Sequence, residues 1–410
     1  MTQWAGREEW GAGWPAPFAA LTGVACSASF SYASGMLMVP MTAELGWTRA
    51  EFSSGFTIMM VSGLFFMPLA GRLADRWGAR RVVLLGVLPY TLWYLLLDFV
   101  GQAIWLWWLL CVGIAATTAA LTPPVWISSV VAAFRRTRGL ALALALSGIG
   151  LAMALWPSLA AFAVKALGWR KTIFVLALAA GALTLFAAFG LPRSVPHSHD
   201  QAVPDRREGR VSLGAVMRSR IFVCITLAGG LFSSVSFGMT LHFAAMLRAA
   251  GLSLTAAGGI AGLIGIFSIV GRLGTGLLLD RVPTRAFGSI AFLLPMVTAA
   301  LLWRGGTGEA IVGAAVLGLA GGAELDIVAY LIAGRFPRER FAAIYATSTA
   351  TFAVCASFGP LLAGALFDAE GSYDLYLFLI APMVLAAAVL ISLVAAPRPT
   401  WNRVETENAT

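Results

Sequence analysis

Across 410 residues, 59% are hydrophobic, only 11% are charged, and the net charge is +9. A soluble domain carries roughly a quarter charged residues, so a soluble fold is excluded. The positive charge does not form one patch, as a nucleic-acid surface would. It recurs in short connections between apolar runs, which is a membrane-topology signal, so no nucleic-acid partner is expected.

A bilayer-spanning helix needs roughly 20 mostly apolar residues. Twelve such runs are predicted, at 16–40, 53–73, 81–100, 103–130, 139–163, 170–191, 221–247, 254–277, 286–303, 308–333, 342–366 and 374–396. The first 14 residues hold Arg7, Glu8 and Glu9 without a short apolar run, so no cleavable signal is expected. Cys26, Cys111, Cys224 and Cys355 each fall inside a span and are read as packing residues. The aromatic run Trp105, Trp107 and Trp108 resembles an interfacial belt. Pro123-Pro124 in the fourth run and Pro157 in the fifth are expected to kink their helices. The longest polar stretch, 192–220, contains His197 and His199 without acidic or cysteine neighbours that would make a metal site. It is read as a solvated linker. The organisation is therefore a six-helix half at 1–191, the linker at 192–220, a second half at 221–397 and a tail at 398–410.

Between the second and third runs lies Gly71-Arg72-Leu73-Ala74-Asp75-Arg76-Trp77-Gly78-Ala79-Arg80-Arg81, a short charged connection. Its G-x-x-x-D-R spacing returns at Gly276–Arg281, with Asp280 lying 205 residues beyond Asp75. Phe134–Arg138 pairs with Phe336–Arg340 at an offset of 202. Gly46-Trp47-Thr48 pairs with Gly251-Leu252-Ser253 at 205, and Gly168-Trp169-Arg170 with Gly371-Ser372-Tyr373 at 203. Four pairs at nearly one offset indicate a duplicated chain, and parallel repeats of this kind place a substrate site between the halves near the membrane midplane.

The charged stretch resembles the motif that the major facilitator superfamily carries between its second and third helices. It keeps Gly71, Leu73, Asp75, Arg76, Gly78, Arg80 and Leu84 and departs at Ala79, where a basic residue is usual. The resemblance implies an all-α membrane protein of twelve helices in two pseudo-symmetric six-helix halves. It also implies that Gly71, Asp75, Arg76 and Gly78 gate one face, with Asp280 and Arg281 in a lesser part.

If the termini and the even-numbered connections share a side, that side holds 21 of the 28 Lys and Arg residues, the other side six, and Arg272 lies inside a span. The basic side is expected to be cytoplasmic, placing the protein in the plasma (inner) membrane with both termini inside the cell.

Three ionisable residues lie deep in spans: Arg272 in the eighth, and Glu324 and Asp326 in the tenth. Intramembrane charge is costly and is read as functional by default. Arg272 is ~12 Å from Asp280, and Asp326 ~14 Å from Arg335, at 1.5 Å per residue, so the two are expected at one level. Glu324 and Asp326 stand roughly 200° apart around their helix. Tyr330 shares the face of Asp326. Arg272 is the candidate anchor for an anion, because a guanidinium matches a carboxylate with two parallel hydrogen bonds. Asp326 or Glu324 is the candidate proton carrier, with Asp326 preferred because of Tyr330. The competing reading is a fixed Arg–acid pair between the two helices. His242, near the end of the seventh span, is a weaker substrate-binding candidate, and a hydrogen-bonded packing role competes with it.

Glu9–Trp14 resembles the signature that precedes the first helix of monocarboxylate carriers, keeping Glu9, Gly11, Gly13 and Trp14 and departing at Trp10 and Ala12. A second signature fits 133–148 through Phe134, Arg136, Leu140, Ala141, Ala143, Ala145, Ser147 and Gly148, but not Ala133 or Thr137. The arginine of the family's eighth helix falls on Arg272. The aspartate one turn before it in animal members is Ser268 here, and the first-helix lysine is missing, since the only lysines are Lys165 and Lys171. Oxalate-exchanging relatives carry a second cation in the eleventh helix, and 342–366 contains none. One cation suits one carboxylate. The resemblance thus implies a proton-coupled carrier of a small organic monocarboxylate, monomeric and without cofactor or metal, working by alternating access. An oxalate–formate type of exchanger, an exporter of another solute and a transporter-like sensor are the alternatives. No nucleophile–base pair suggests an enzyme.

Overall fold

The computed structural model describes residues 9–11, 13–134, 137–192, 213–279, 281–336 and 340–394. Twelve helices in it are long and apolar enough to cross a membrane: α1 Pro15–Leu45, α2 Arg49–Trp77, α3 Ala79–Phe99, α4 Ile104–Val131, α5 Arg138–Leu167, α6 Trp169–Phe189, α7 Arg220–Ala249, α8 Leu254–Leu278, α9 Thr284–Arg304, α10 Thr307–Arg335, α11 Ala343–Glu370 and α12 Asp374–Val394. A helix closes all backbone hydrogen bonds within one segment, which is what a bilayer core demands. Asp280, Arg136, His197, His199 and the tail 398–410 lie outside the described residues, as does most of the expected linker. Inside that linker range, a short helix spans Leu213–Met217, and α7 already begins at Arg220.

Local chemistry explains where the helices differ from the expected runs. α1 passes Pro40 and stops at Gly46, whose φ of 72° suits glycine. It is interrupted at Ala28 (φ −90°, ψ 1°). α2 starts four residues early because Thr48 and Glu51 form a capping box. It also ends late, at Trp77, where Gly78 turns the chain with φ 81°. Residues Gly71–Trp77 are therefore the last two turns of α2 and not a connection. α4 breaks at a 3-10 turn, Ala119–Leu121, just before Pro123-Pro124, while Pro157 sits within unbroken α5. The two signature stretches of the first half meet each other. The Glu9 carboxylate accepts from the Thr137 amide and hydroxyl at 3.1 and 3.0 Å, and the Trp10 ring lies 5.0 Å from Phe134.

The halves meet chiefly along two pairs, α2 with α11 and α5 with α8. Shifting by half the chain exchanges α2 with α8 and α5 with α11, so the two contacts are symmetry mates.

Their chemistry is not symmetric along the membrane normal. On the side away from the basic loops, α2 and α11 are tied by polar contacts. The Asp368 carboxylate accepts from the backbone amides of Arg49 and Ala50, at 2.9 and 2.8 Å. The amide of Glu51 is held by Thr48 at 3.1 Å. The orphan donors of the first turn of α2 are thus satisfied partly from the other half. The Arg49 guanidinium carbon lies 3.3 Å from the Phe367 ring centroid and 5.0 Å from that of Tyr373. Deeper, His242 is fully buried. Its Nε2 lies 2.9 Å from Ser53 Oγ and 3.0 Å from the Pro360 carbonyl, and its Nδ1 lies 2.8 Å from Tyr373 Oη. A carbonyl only accepts, so Nε2 carries the hydrogen. Thr57 donates to the Ser357 carbonyl at 2.6 Å. This face is sealed, and the cavity between the halves lies on the other side of the seal.

Removing the Asp368 cap tests this. Losing a helix cap costs about 1 kcal/mol, roughly a fivefold change in a two-state ratio. Spin labels across the α2–α11 ends of Asp368→Ala are expected to show a larger population at long distance. An unchanged distribution would assign the seal to other contacts.

Candidate functional site

Arg272 is positioned by close helix packing. A methyl group placed on Gly318 would run into the Ile264 carbonyl, and one on Gly322 into the Ser268 carbonyl and the Arg272 amide. Only glycine lets α10 lie directly on the backbone of α8. These contacts also set the register. α8 and α10 run the same way, and Arg272 falls within one turn of Glu324.

A cavity of about 440 Å³ opens between the halves, lined by residues of α1, α2, α5, α7, α8, α10 and α11. Its wall includes both Arg272 and Glu324. Ala143, Leu146 and Leu273 lie nearest the basic end of their helices, so the cavity opens toward the basic side. A smaller pocket shares Tyr32, Met153, Phe237, Thr240 and Ile264 with it and extends its closed end.

The electrostatics are unusual. Among the described residues, no ion pair within 4.0 Å and no hydrogen bond engages the Arg272 guanidinium. Glu324, 8% exposed, accepts instead from the hydroxyl of Ser233 on α7. The expected level of Arg272 and Asp326 is met to within a turn, and their charges interact, but Asp326 is only half-buried and is not in the cavity wall. The fixed Arg–acid pair considered from sequence is absent among the described residues. Tyr330 is 42% exposed and off the wall, and His242 belongs to the seal and not to the cavity. Asp75, Arg76 and Arg281 are exposed at the basic ends of the helices, and Gly71 and Gly78 are half-buried.

Sequence reasoning missed several residues. Tyr32 on α1 lines the cavity within electrostatic reach of Arg272, and Tyr345 on α11 is within reach of Arg272, Glu324 and Asp326. Ser233 pairs with Glu324. Asp368 and Arg49 sit at the seal. Nothing in the residue pattern marks Tyr32 or Ser233, because single polar residues in a span are common. Asp368 was legible as a charge at the end of a span.

Residues 20–309 match the sequence profile of the Major Facilitator Superfamily. Monocarboxylate transporter 13 of Bos taurus is 28% identical over 265 residues, 64% of this chain and 60% of that protein. Its Rattus norvegicus counterpart is 27% identical over 278 residues, 68% of this chain and 61% of that one. The matched region thus spans about three fifths of the length of these two relatives. An MFS-type transporter of Gibberella moniliformis is 25% identical over 355 residues, 85% of this chain and 81% of that one. Among solved structures, the nucleoside transporter NupG superposes with a TM-score of 0.70 at 14% identity, covering 93% of this chain and 99% of that one. A bacterial homologue of the human lysosomal transporter Spinster, inward-facing and occupied, gives 0.69 at 14% identity, covering 93% and 94%. At such identity these structures speak to the fold alone. A family match over most of the chain, twelve apolar helices and two repeats around one cavity agree: this multi-pass membrane protein belongs to the Major Facilitator Superfamily of transporters.

Proposed function

We propose that the protein carries a small organic monocarboxylate together with a proton, by alternating access. The observation that carries this reading is the Arg272 guanidinium, which has no ion pair within 4.0 Å among the described residues and stands in the wall of a cavity between the halves. A guanidinium keeps its charge at any physiological pH and offers a planar fork to a carboxylate. The similarity to proteins named monocarboxylate transporters supports the same class of cargo.

Proton coupling is assigned to Glu324. It shares the cavity wall with Arg272, whereas Asp326 lies off it. With Glu324 ionised, the cavity wall carries a negative charge that opposes an incoming anion. With Glu324 protonated, that opposition is removed and the anion meets Arg272. Binding and protonation then favour each other, and linkage makes the effect reciprocal. The basic face is assigned to the cytoplasm of a plasma (inner) membrane by its charge bias. The structure's open side is then the inward one. Asp75 and Arg76, with Arg281, are assigned to brace that side when it closes.

Three outcomes are expected. Arg272→Lys retains charge but loses the fork, and carboxylate binding to the purified protein should weaken more than tenfold. Unchanged affinity would remove Arg272 as the anchor. Proteoliposomes carrying Glu324→Gln should still exchange labelled substrate but fail to accumulate it under an imposed pH gradient, while Asp326→Asn accumulates it. Retained accumulation in Glu324→Gln would place the proton elsewhere or make the carrier an exchanger. Asp75→Asn should raise the inward-open population, read as spin-label distances between the basic ends of the halves.

A further inference from the structure

The cavity that holds Arg272 carries its charged groups at one level, and the rest of its wall is mostly apolar with single hydroxyls along it. Ile264, Ser268 and Arg272 lie on successive turns of one face of α8, and Ile264 stands ~12 Å from Arg272 toward the closed end. Beside that stretch the wall holds Met153 from the first half and Phe237 and Leu317 from the second; Met60 also lines it, and Phe352 lies against Gly229 on the basic side of Ser233.

Most wall hydroxyls are already committed. Ser147 donates to the Ala143 carbonyl at 2.8 Å, Ser268 to that of Gly265 at 2.8 Å, and Thr240 to that of Ser236 at 2.7 Å. Ser233 donates to Glu324. Tyr32 and Ser236 are the wall hydroxyls without a protein partner among the described residues. Tyr32 is within electrostatic reach of Arg272 and also lines the smaller pocket at the closed end, and Ser236 lies one turn before Thr240 on α7. A second polar group on a short hydroxy or keto acid therefore finds only these two open hydroxyls, set in a wall that is otherwise apolar or already bonded. An apolar group finds two methionines, Phe237 and branched side chains. The volume is also large for a short acid: at about 30 Å³ per water, it corresponds to on the order of ten to fifteen waters.

We propose that the cargo is an amphipathic monocarboxylate, its carboxylate at Arg272 and an aliphatic or aryl body on the order of five to ten carbons long lying against Met60, Met153, Phe237 and Ile264. This rests on the assignment of Arg272 as the carboxylate anchor and adds the body that the rest of the cavity selects. Methionine suits such a wall, because its flexible thioether adapts to both chain and ring shapes.

The test is a chain-length series. Acetate, butyrate, hexanoate, octanoate and 3-phenylpropionate are titrated into the full chain in nanodiscs, with empty nanodiscs as blank and hexanol as the uncharged control. Burial of one CH₂ is worth a three- to fourfold gain in affinity. Affinity should climb by about that factor per carbon from acetate to hexanoate, and 3-phenylpropionate should bind at least as tightly as butyrate. Hexanol should bind far more weakly than hexanoate. Phe237→Ser and Met60→Thr should each lower the hexanoate-to-acetate affinity ratio several-fold, while Arg272→Lys weakens all the acids and leaves the ratio unchanged. Two variants on different halves keep the test alive if one fails to fold. A flat or falling series, with acetate binding still sensitive to Arg272→Lys, overturns the amphipathic cargo and leaves the monocarboxylate reading standing. Hexanol binding as tightly as hexanoate also overturns it. No acid binding at any length, or binding indifferent to Arg272→Lys, overturns the carboxylate reading itself.

Discussion

A permanent charge in an apolar span is the constraint around which this molecule is arranged. Arg272 cannot shed its proton, and a charged side chain at the centre of a bilayer helix costs at least about 2.5–3.5 kcal/mol. The charge must meet water, a counter-charge or a ligand. Each solution leaves a trace in the structure. Gly318 and Gly322 bring α10 onto α8, so that the backbone of Arg272 lies against Gly322, within a turn of both Glu324 and Asp326. Seven helices leave a cavity there, so that water or an anion can reach it. Ser233 holds Glu324, so that the acid does not fill the fork. A packed Arg–Glu pair would satisfy the charge within the protein. Binding the acid to a hydroxyl on a third helix leaves the charge available.

Much of this was legible in the residues, for physical reasons. Twelve spans follow from the length and polarity of the apolar runs, because the bilayer admits almost no other backbone. The duplication followed from charged turns spaced by half the chain. Arg272 and the helix 10 acids stood out because charge is so rare in a span. What was not legible depended on contacts between distant segments. Glu324 and Asp326 are two residues apart, and sequence cannot say which one turns toward the cavity. The residue pattern favours Asp326 through Tyr330, a neighbour on its own helix; in the fold Glu324 lines the cavity while the charge of Asp326 interacts with that of Arg272. The ends of α2 were misjudged because hydropathy stops at charges while the helix does not. Its Thr48 and Glu51 cap and the turn at Gly78 decide where the hydrogen-bond ladder begins and ends.

His242 shows the same limit from another side. As a lone histidine in a span it reads as a site or as packing, and the choice depends on residues 53, 360 and 373, which no local pattern links to it. The signature stretches at Glu9 and Phe134 make the converse point. Read separately, they were two short matches; folded, they are one contact, in which Glu9 anchors the turn before α5 and Trp10 lies against Phe134.

The seal is built differently from a core, and the difference bears on how such a molecule can move. Two faces of leucine and valine pulled apart into water lose their whole burial, about 25 cal/mol per Å². The rim contacts of the seal are instead a carboxylate on two backbone amides, a guanidinium on two rings, and hydroxyls on carbonyls. On separation most of these groups find water in place of one another, so each net loss is modest. Asp368 is already exposed in the closed state, and its rehydration costs little. A cation–π contact at such a rim is worth about 0.5–1 kcal/mol. The buried part of the seal is narrow: of the His242 hydrogen bonds only the one to Ser53 joins the two halves, since Tyr373 and Pro360 lie in the same half as His242. A face made this way holds when closed and opens for a few kcal/mol, which is the range a differential ligand affinity can supply. Apolar packing is not confined to each six-helix bundle: one buried cluster runs through both halves, and α5 lies on α8 through Gly258, Gly262 and Gly265. The polar contacts are concentrated at the α2–α11 rim.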